Sequence, residues 1–111
     1  MNSGDPRGLF PGALEMMILQ TLRRGPLHGY AIAQSIKQSS EDLLRVEEGS
    51  LYPALQRMLK ARWVEAEWTV SATNRRVRQY GLTAAGRKQL EREISQFERM
   101  FQGIRKVMRP A

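Results

Sequence analysis

The side chains best placed to do chemistry in this 111-residue chain are cations and their polar neighbours. Arg75, Arg76 and Arg78 stand together beside Asn74, and Tyr52, Pro53, Gln56, Arg57 and Lys60 recur at spacings of three and four. Guanidinium and ammonium groups only donate hydrogen bonds, while a carboxamide both donates and accepts. Such groups suit phosphate oxygens and base edges better than they suit bond-making. Residues for covalent or metal chemistry are scarce: there is no cysteine and one histidine, His28. That removes disulfide scaffolds, thiolate catalysis and cysteine-based zinc sites, and argues against a Ser-His-Asp triad. The acidic residues Glu41, Asp42, Glu47 and Glu48 have no His or Cys beside them and read as a solvated loop. The last two also favour the positive end of a following helix. No Gly-rich phosphate loop or nucleophile elbow occurs, so neither an enzyme nor a cofactor or metal site is expected.

The charge is unevenly spread. There are 18 Lys+Arg against 11 Asp+Glu, a net of +7. Residues 1–48 hold five basic and six acidic side chains, whereas residues 49–111 hold thirteen and five. Between residues 69 and 90, Arg75, Arg76, Arg78, Arg87 and Lys88 occur with no acid at all. A one-sided basic surface attracts polyanions through its long-range field and through counterion release. A basic surface with no partner would have the same composition, so charge alone leaves both readings open. No apolar run approaches the roughly 18 residues of a membrane span, and the N-terminus lacks the pattern of a signal peptide. A cytoplasmic protein without a membrane partner is expected.

The elements that must position these groups follow from periodicity. Residues 1–11 are rich in Gly and Pro and read as a flexible arm. Ala13 to Arg23 reads as a helix with a stripe of Leu14, Met17, Ile18 and Leu22; Met16 and Leu19 add apolar surface on other sides. A helix this apolar all round is buried on two sides, and in a small domain the second side suggests a partner chain. Gly25-Pro26 ends it. A second helix over Gly29–Ser39 turns Ile32, Ala33 and Ile36 inward, and Leu43, Leu44 and Val46 form a short connection. The third helix is expected to be capped by Ser50, with Pro53 in its first turn. Leu51, Leu55, Met58 and Leu59 line its inner face; Tyr52, Pro53, Gln56, Arg57 and Lys60 line the outer.

The period then shortens to two. Val64, Ala66, Trp68 and Val70 alternate with Glu65, Glu67 and Thr69, a half-buried strand. A polar turn from Ser71 to Arg76, with Asn74 near its tip, leads into a second strand from Val77 to Leu82. Thr83 caps a last helix reaching about Met108, in which Leu90, Ile94, Phe97, Phe101, Ile104 and Met108 keep a strict heptad spacing. Such a seam pairs with another chain or folds back on its own domain; pairing is the reading adopted, with Leu14 and Met17 of the first helix contributing.

Three helices, a basic hairpin and a long helix give a mainly α (α+β) winged helix-turn-helix. The order divides into an arm (1–11), a DNA-binding domain (12–82) and a dimerisation helix (83–111). Its third helix fits a major groove and its hairpin tip fits phosphates or a minor groove. Leu27-His28-Gly29-Tyr30, then Gly49-Ser50-Leu51-Tyr52-Pro53-Ala54-Leu55, then Arg76 to Leu82 running into Thr83-Ala84-Ala85-Gly86, resemble the PadR family of transcriptional regulators. A single C-terminal helix is similar to that family's short subgroup. Gln79 and Gly81 depart from the family pattern, which often has an aromatic and a polar or basic residue there.

The resemblance implies a homodimeric transcription factor, usually a repressor, on an inverted-repeat operator in double-stranded DNA. It implies that Ser50, Tyr52, Pro53, Gln56 and Arg57 face DNA, that Asn74, Arg75, Arg76 and Arg78 form the wing, and that Tyr30 approaches the backbone. Lys60 joins them by its place on the outer face. A small aromatic or drug-like effector at the dimer interface is a further partner known from some relatives; here the last helix offers Phe97 and Phe101 but no Trp. A winged-helix protein-interaction module and a small-molecule sensor stay open as alternatives. His28 is read as a cap or loop residue, and Trp63 and Trp68 as packing residues.

Overall fold

A computed structural model describes residues 12–110 and orders them as α1 (Ala13–Arg23), β1 (Leu27–His28), α2 (Gly29–Ser39), α3 (Glu48–Lys60), β2 (Val64–Val70), β3 (Arg76–Leu82) and α4 (Ala84–Met108). The expected flexible arm at 1–11 lies outside the described residues. Apolar residues at helical spacing converge on one core. Ile18, Leu19 and Leu22 of α1 meet Ile32 and Ile36 of α2, Leu51, Leu55 and Met58 of α3, and Leu90 of α4. Val64 and Tyr80 close this core from the sheet.

The sheet is antiparallel in the order β1-β3-β2. β2 and β3 pair in register from Val64↔Leu82 to Val70↔Arg76, forming the expected hairpin. β3 begins one residue earlier than the pattern indicated, because Arg76 still pairs with Val70. β1 has no counterpart in the sequence reading. Its two residues, Leu27 and His28, pair with Tyr80 and Gln79 and so tie the entry of α2 to the base of the hairpin.

Two expectations for α3 need correction. Its N-cap is Glu47, not Ser50, and the backbone N–H groups of Ser50 and Leu51 donate to the Glu47 carbonyl at 3.0 and 2.9 Å. Carboxylates at Glu47 and Glu48 already suit the positive helix terminus, so the helix starts ahead of the serine. Pro53 therefore falls in the second turn, where it removes one backbone hydrogen bond while its ring stays on the exposed side.

The start of α4 is fixed by Thr83. Its hydroxyl accepts from Gly86 N–H at 3.0 Å and donates toward the carbonyls of Arg62 and Trp63, at 2.7 and 3.0 Å. Gly86 is required there, since a Cβ would strike the Trp63 carbonyl. The cap thus joins the end of α3, the root of the hairpin and α4 into one support. Beyond Leu90, α4 leaves the core progressively, and residues 101–110 are exposed throughout.

Candidate nucleic-acid interface

On α3 the same period that buries Leu51, Ala54, Leu55 and Met58 exposes Gly49, Tyr52, Pro53, Gln56, Arg57 and Lys60 along one stripe. Ser50 is half-buried at its edge. Tyr52 leans over the start of α2: a Cβ built on Gly29 would lie 2.7 Å from the Tyr52 hydroxyl. Burial pushes its phenol pKa above the usual value, with the Glu48 carboxylate and Tyr80 adding to the shift. Like any tyrosine well below its pKa, Tyr52 is a neutral hydroxyl that can donate to an anion. Arg57 behaves differently from its neighbours. Its Nη2 donates to Glu15 Oε2 on α1 at 2.7 Å, so it reaches sideways across the domain.

The wing tip is shaped by a tight set of local bonds. Ser71 N–H donates to the Arg75 carbonyl at 2.8 Å, and Asn74 N–H donates to the Ser71 carbonyl at 2.9 Å. Asn74 adopts φ 63°, a left-handed conformation that Asn tolerates better than most residues. Its place is thus explained by the turn. Arg75 and Arg76 follow directly and are exposed.

Between the wing and the helices runs a groove of about 520 Å³. One wall carries Tyr30 and Tyr52; the other carries Trp68, Arg76, Arg78 and Tyr80, with Arg75 toward the tip. Among the described residues no carboxylate lines it, the Glu48 carboxylate that acts on the Tyr52 phenol lying outside the lining. The Arg76 guanidinium lies 4.8 Å from the Trp68 ring centroid, and that of Arg78 lies 6.0 Å from Tyr80. Tyr30, Tyr52, Arg75, Arg76 and Arg78 are thus brought together, whereas Pro53, Gln56, Arg57 and Lys60 lie on the exposed stripe outside the groove lining. Trp63 is half-buried against the core, as expected; Trp68 is 59% exposed and lies outside the core, packing within the hairpin against Arg76. Strand alternation gave the correct face for Trp68 and could not say that the core ends before it. His28 acts as the cap of α2, its Nδ1 accepting from Ala31 N–H at 3.4 Å.

The residues expected at a dimer seam divide into two groups. Leu90 is 1% exposed and lies inside its own core, so it is not available to a partner. Leu14, Met17 and Ile94 are half-buried against that core. Phe97 is half-buried, while Phe101, Ile104 and Met108 are exposed on one side of α4. The rings of Phe97 and Phe101 stack with centroids 6.1 Å apart. A cleft of about 230 Å³ separates the start of α1 from α4, lined by Ala13, Met16, Glu93, Phe97 and Met100 among others. Among the described residues, no acidic or histidine cluster could hold a metal ion, and no helix is long and apolar enough to cross a membrane.

Two helices packed at the core, a third with a polar outer face, a basic hairpin and a long final helix define a winged helix-turn-helix protein. Residues 18–92 match the model of the "Transcriptional regulator PadR-like family", and the chain belongs to that family. Its members are transcription regulators and not enzymes. A transcriptional regulator from Clostridium thermocellum has a TM-score of 0.83 at 25% identity, over 91% of this chain and 98% of that one. Bacillus subtilis PadR, solved in complex with operator DNA, has a TM-score of 0.66 at 26% identity, over 74% of this chain and 46% of that one. A 37.1 kDa protein in transposon TN4556 of Streptomyces fradiae is 42% identical over 88 residues. That match takes in 78% of this chain but 23% of the relative, so this chain spans less than a quarter of the transposon protein.

Proposed function

We propose that this chain is a cytoplasmic, sequence-specific DNA-binding repressor that works as a homodimer. Residues 12–82 form its DNA-reading unit and residues 83–111 its dimerisation helix. The observation that carries this reading is the exposed polar stripe of α3 set beside a carboxylate-free groove with three wing arginines. Gln56 and the α3 stripe enter the major groove, where a carboxamide can meet a base edge bidentately. Tyr30, Tyr52, Lys60, Arg75, Arg76 and Arg78 meet the sugar-phosphate backbone. In the dimer the two α3 helices lie about one helical turn of DNA apart, ~34 Å, on an inverted repeat. A likeness to a PadR solved on operator DNA supports the reading. A planar aromatic effector, where one acts, is best received by the cleft between α1 and α4, closed by the partner's α4.

The test separates reading from holding. Promoter DNA is titrated with protein at several salt concentrations, with and without random competitor. Arg76→Ala should weaken binding on all sequences alike and lower the salt slope by about one. Gln56→Ala should erode discrimination between promoter and random DNA by about tenfold, with little change of slope. A wild-type protein whose binding is erased in simple proportion to competitor counts against a sequence-specific regulator.

A further inference from the structure

The face of the hairpin that closes the core does not stop where the core stops. Cross-strand partners share a face, so Val64 with Leu82, Ala66 with Tyr80, Trp68 with Arg78 and Val70 with Arg76 lie on one side of the sheet. At its root this side is core, since Val64 and Tyr80 are buried. Two residues further out it is open, with Trp68 59% and Val70 60% exposed. Trp68 and the arginines there become the wall of the groove opposite Tyr30 and Tyr52. An exposed indole in a groove without carboxylates, already covered on one side by a guanidinium, is a surface shaped for something both apolar and anionic. A deoxyribose next to its phosphate is such a group.

We propose that Trp68 seats one sugar of the DNA backbone and holds Arg76 against the adjoining phosphate. The proposal rests on the DNA-binding reading and names a contact within it. Arg76 lies diagonally across the ladder from Trp68, and the 4.8 Å stack selects one direction for a side chain that would otherwise sample many. A guanidinium held in place beforehand loses less freedom on binding than a free one. It keeps its donors for the phosphate, because stacking uses its flat face and leaves the edge open. Trp68 is thus a backbone contact and also the positioning residue of the wing cation. Arg75, one residue nearer the tip, has no comparable aromatic seat among the described residues.

Because a backbone contact is indifferent to sequence, a random-sequence duplex is a sufficient probe. Wild type, W68F, W68L, R76A and W68L/R76A are compared by fluorescence anisotropy across a salt series. W68L should weaken binding about fivefold and W68F less than twofold, because Phe keeps an aromatic face and Leu does not. W68L should also flatten the salt slope toward that of R76A, and the double variant should bind no more weakly than about twice the R76A value. The fluorescence lost from wild type on adding duplex should be absent in W68F, which retains only Trp63. W68L that binds as tightly as wild type, with the slope unchanged, overturns the proposal. So does full additivity of W68L and R76A. Wild type that fails to bind the duplex at all defeats the DNA reading itself, a result distinct from either. Melting curves identify a variant that has merely unfolded, in which case the W68F fluorescence comparison decides.

Discussion

Tyr52 shows how one residue is set to work by its surroundings. Its hydroxyl, protonated at neutral pH as any tyrosine is, is moved further from ionisation by partial burial and then by the Glu48 carboxylate. On the proposed interface this makes it a donor to phosphate. Tyr52→Phe should lower DNA affinity about tenfold, the size expected for a hydrogen bond to a charged acceptor, with melting little changed. The linkage has a definite sign. A phenol whose folded-state pKa is raised contributes stability below about pH 10, and that stability is lost as pH rises through the folded value. Between pH 8 and 11, Tyr52→Phe should therefore lose less stability than wild type in urea titrations. Gly29 offers an independent lever on the same ring. A methyl group there would strike the hydroxyl, Cε1 and Cζ of Tyr52, so Gly29→Ala should displace the phenol and weaken DNA binding while the helix itself tolerates alanine. Unchanged affinity in both variants would remove Tyr52 from the interface.

At the scale of elements, α3 is held from behind by α1 as well as by the core. The Arg57–Glu15 pair links the two helices at 2.7 Å. An exposed pair of this kind contributes little to stability, about 0–1 kcal/mol, so its effect falls mainly on where the cation points. Glu15→Gln should free Arg57 for phosphate, raising affinity for random DNA about threefold and steepening the salt slope by up to one. Discrimination for a promoter should fall as a result. Competition titrations measure both. This long-range tie also marks where sequence reasoning stops. The spans of α1, α2 and α4 were legible because periodicity, Gly25-Pro26 and the Thr83 cap are local signals. The start of α3 was misplaced because a good capping serine competes with two glutamates that favour the same terminus. β1 is too short to have a period and exists only because β3 offers it an edge. Arg57 finds its partner 42 residues away, which no spacing rule reaches. Trp68 had the correct phase, but alternation does not reveal how far along a strand the core extends.

At the scale of the whole molecule, the chain is elongated, 59 × 28 × 23 Å, with a radius of gyration of 15.2 Å. A compact chain of this length would have about 13 Å. The excess comes from α4, a 25-residue helix that spans roughly 37 Å and is half outside the core. A helix so placed, with Phe101 46% exposed and Ile104 and Met108 beside it, exposes apolar surface that the described residues of the chain leave uncovered. In the proposed homodimer a second copy using the same face covers it in both. Phe101→Glu with Ile104→Glu should therefore give a monomer in sedimentation and light scattering. Neither side chain is part of the core, so the secondary structure should persist. The consequence for DNA is larger than for the fold. Two linked half-site contacts act with an effective concentration set by the dimer, and a monomer has only one. Affinity for an inverted repeat should fall at least a hundredfold, toward the value for a single half-site, while affinity for that half-site alone changes little. A double variant that stays dimeric, or a monomer that binds the repeat as tightly as wild type, would show that α4 does not set the spacing of the two reading helices.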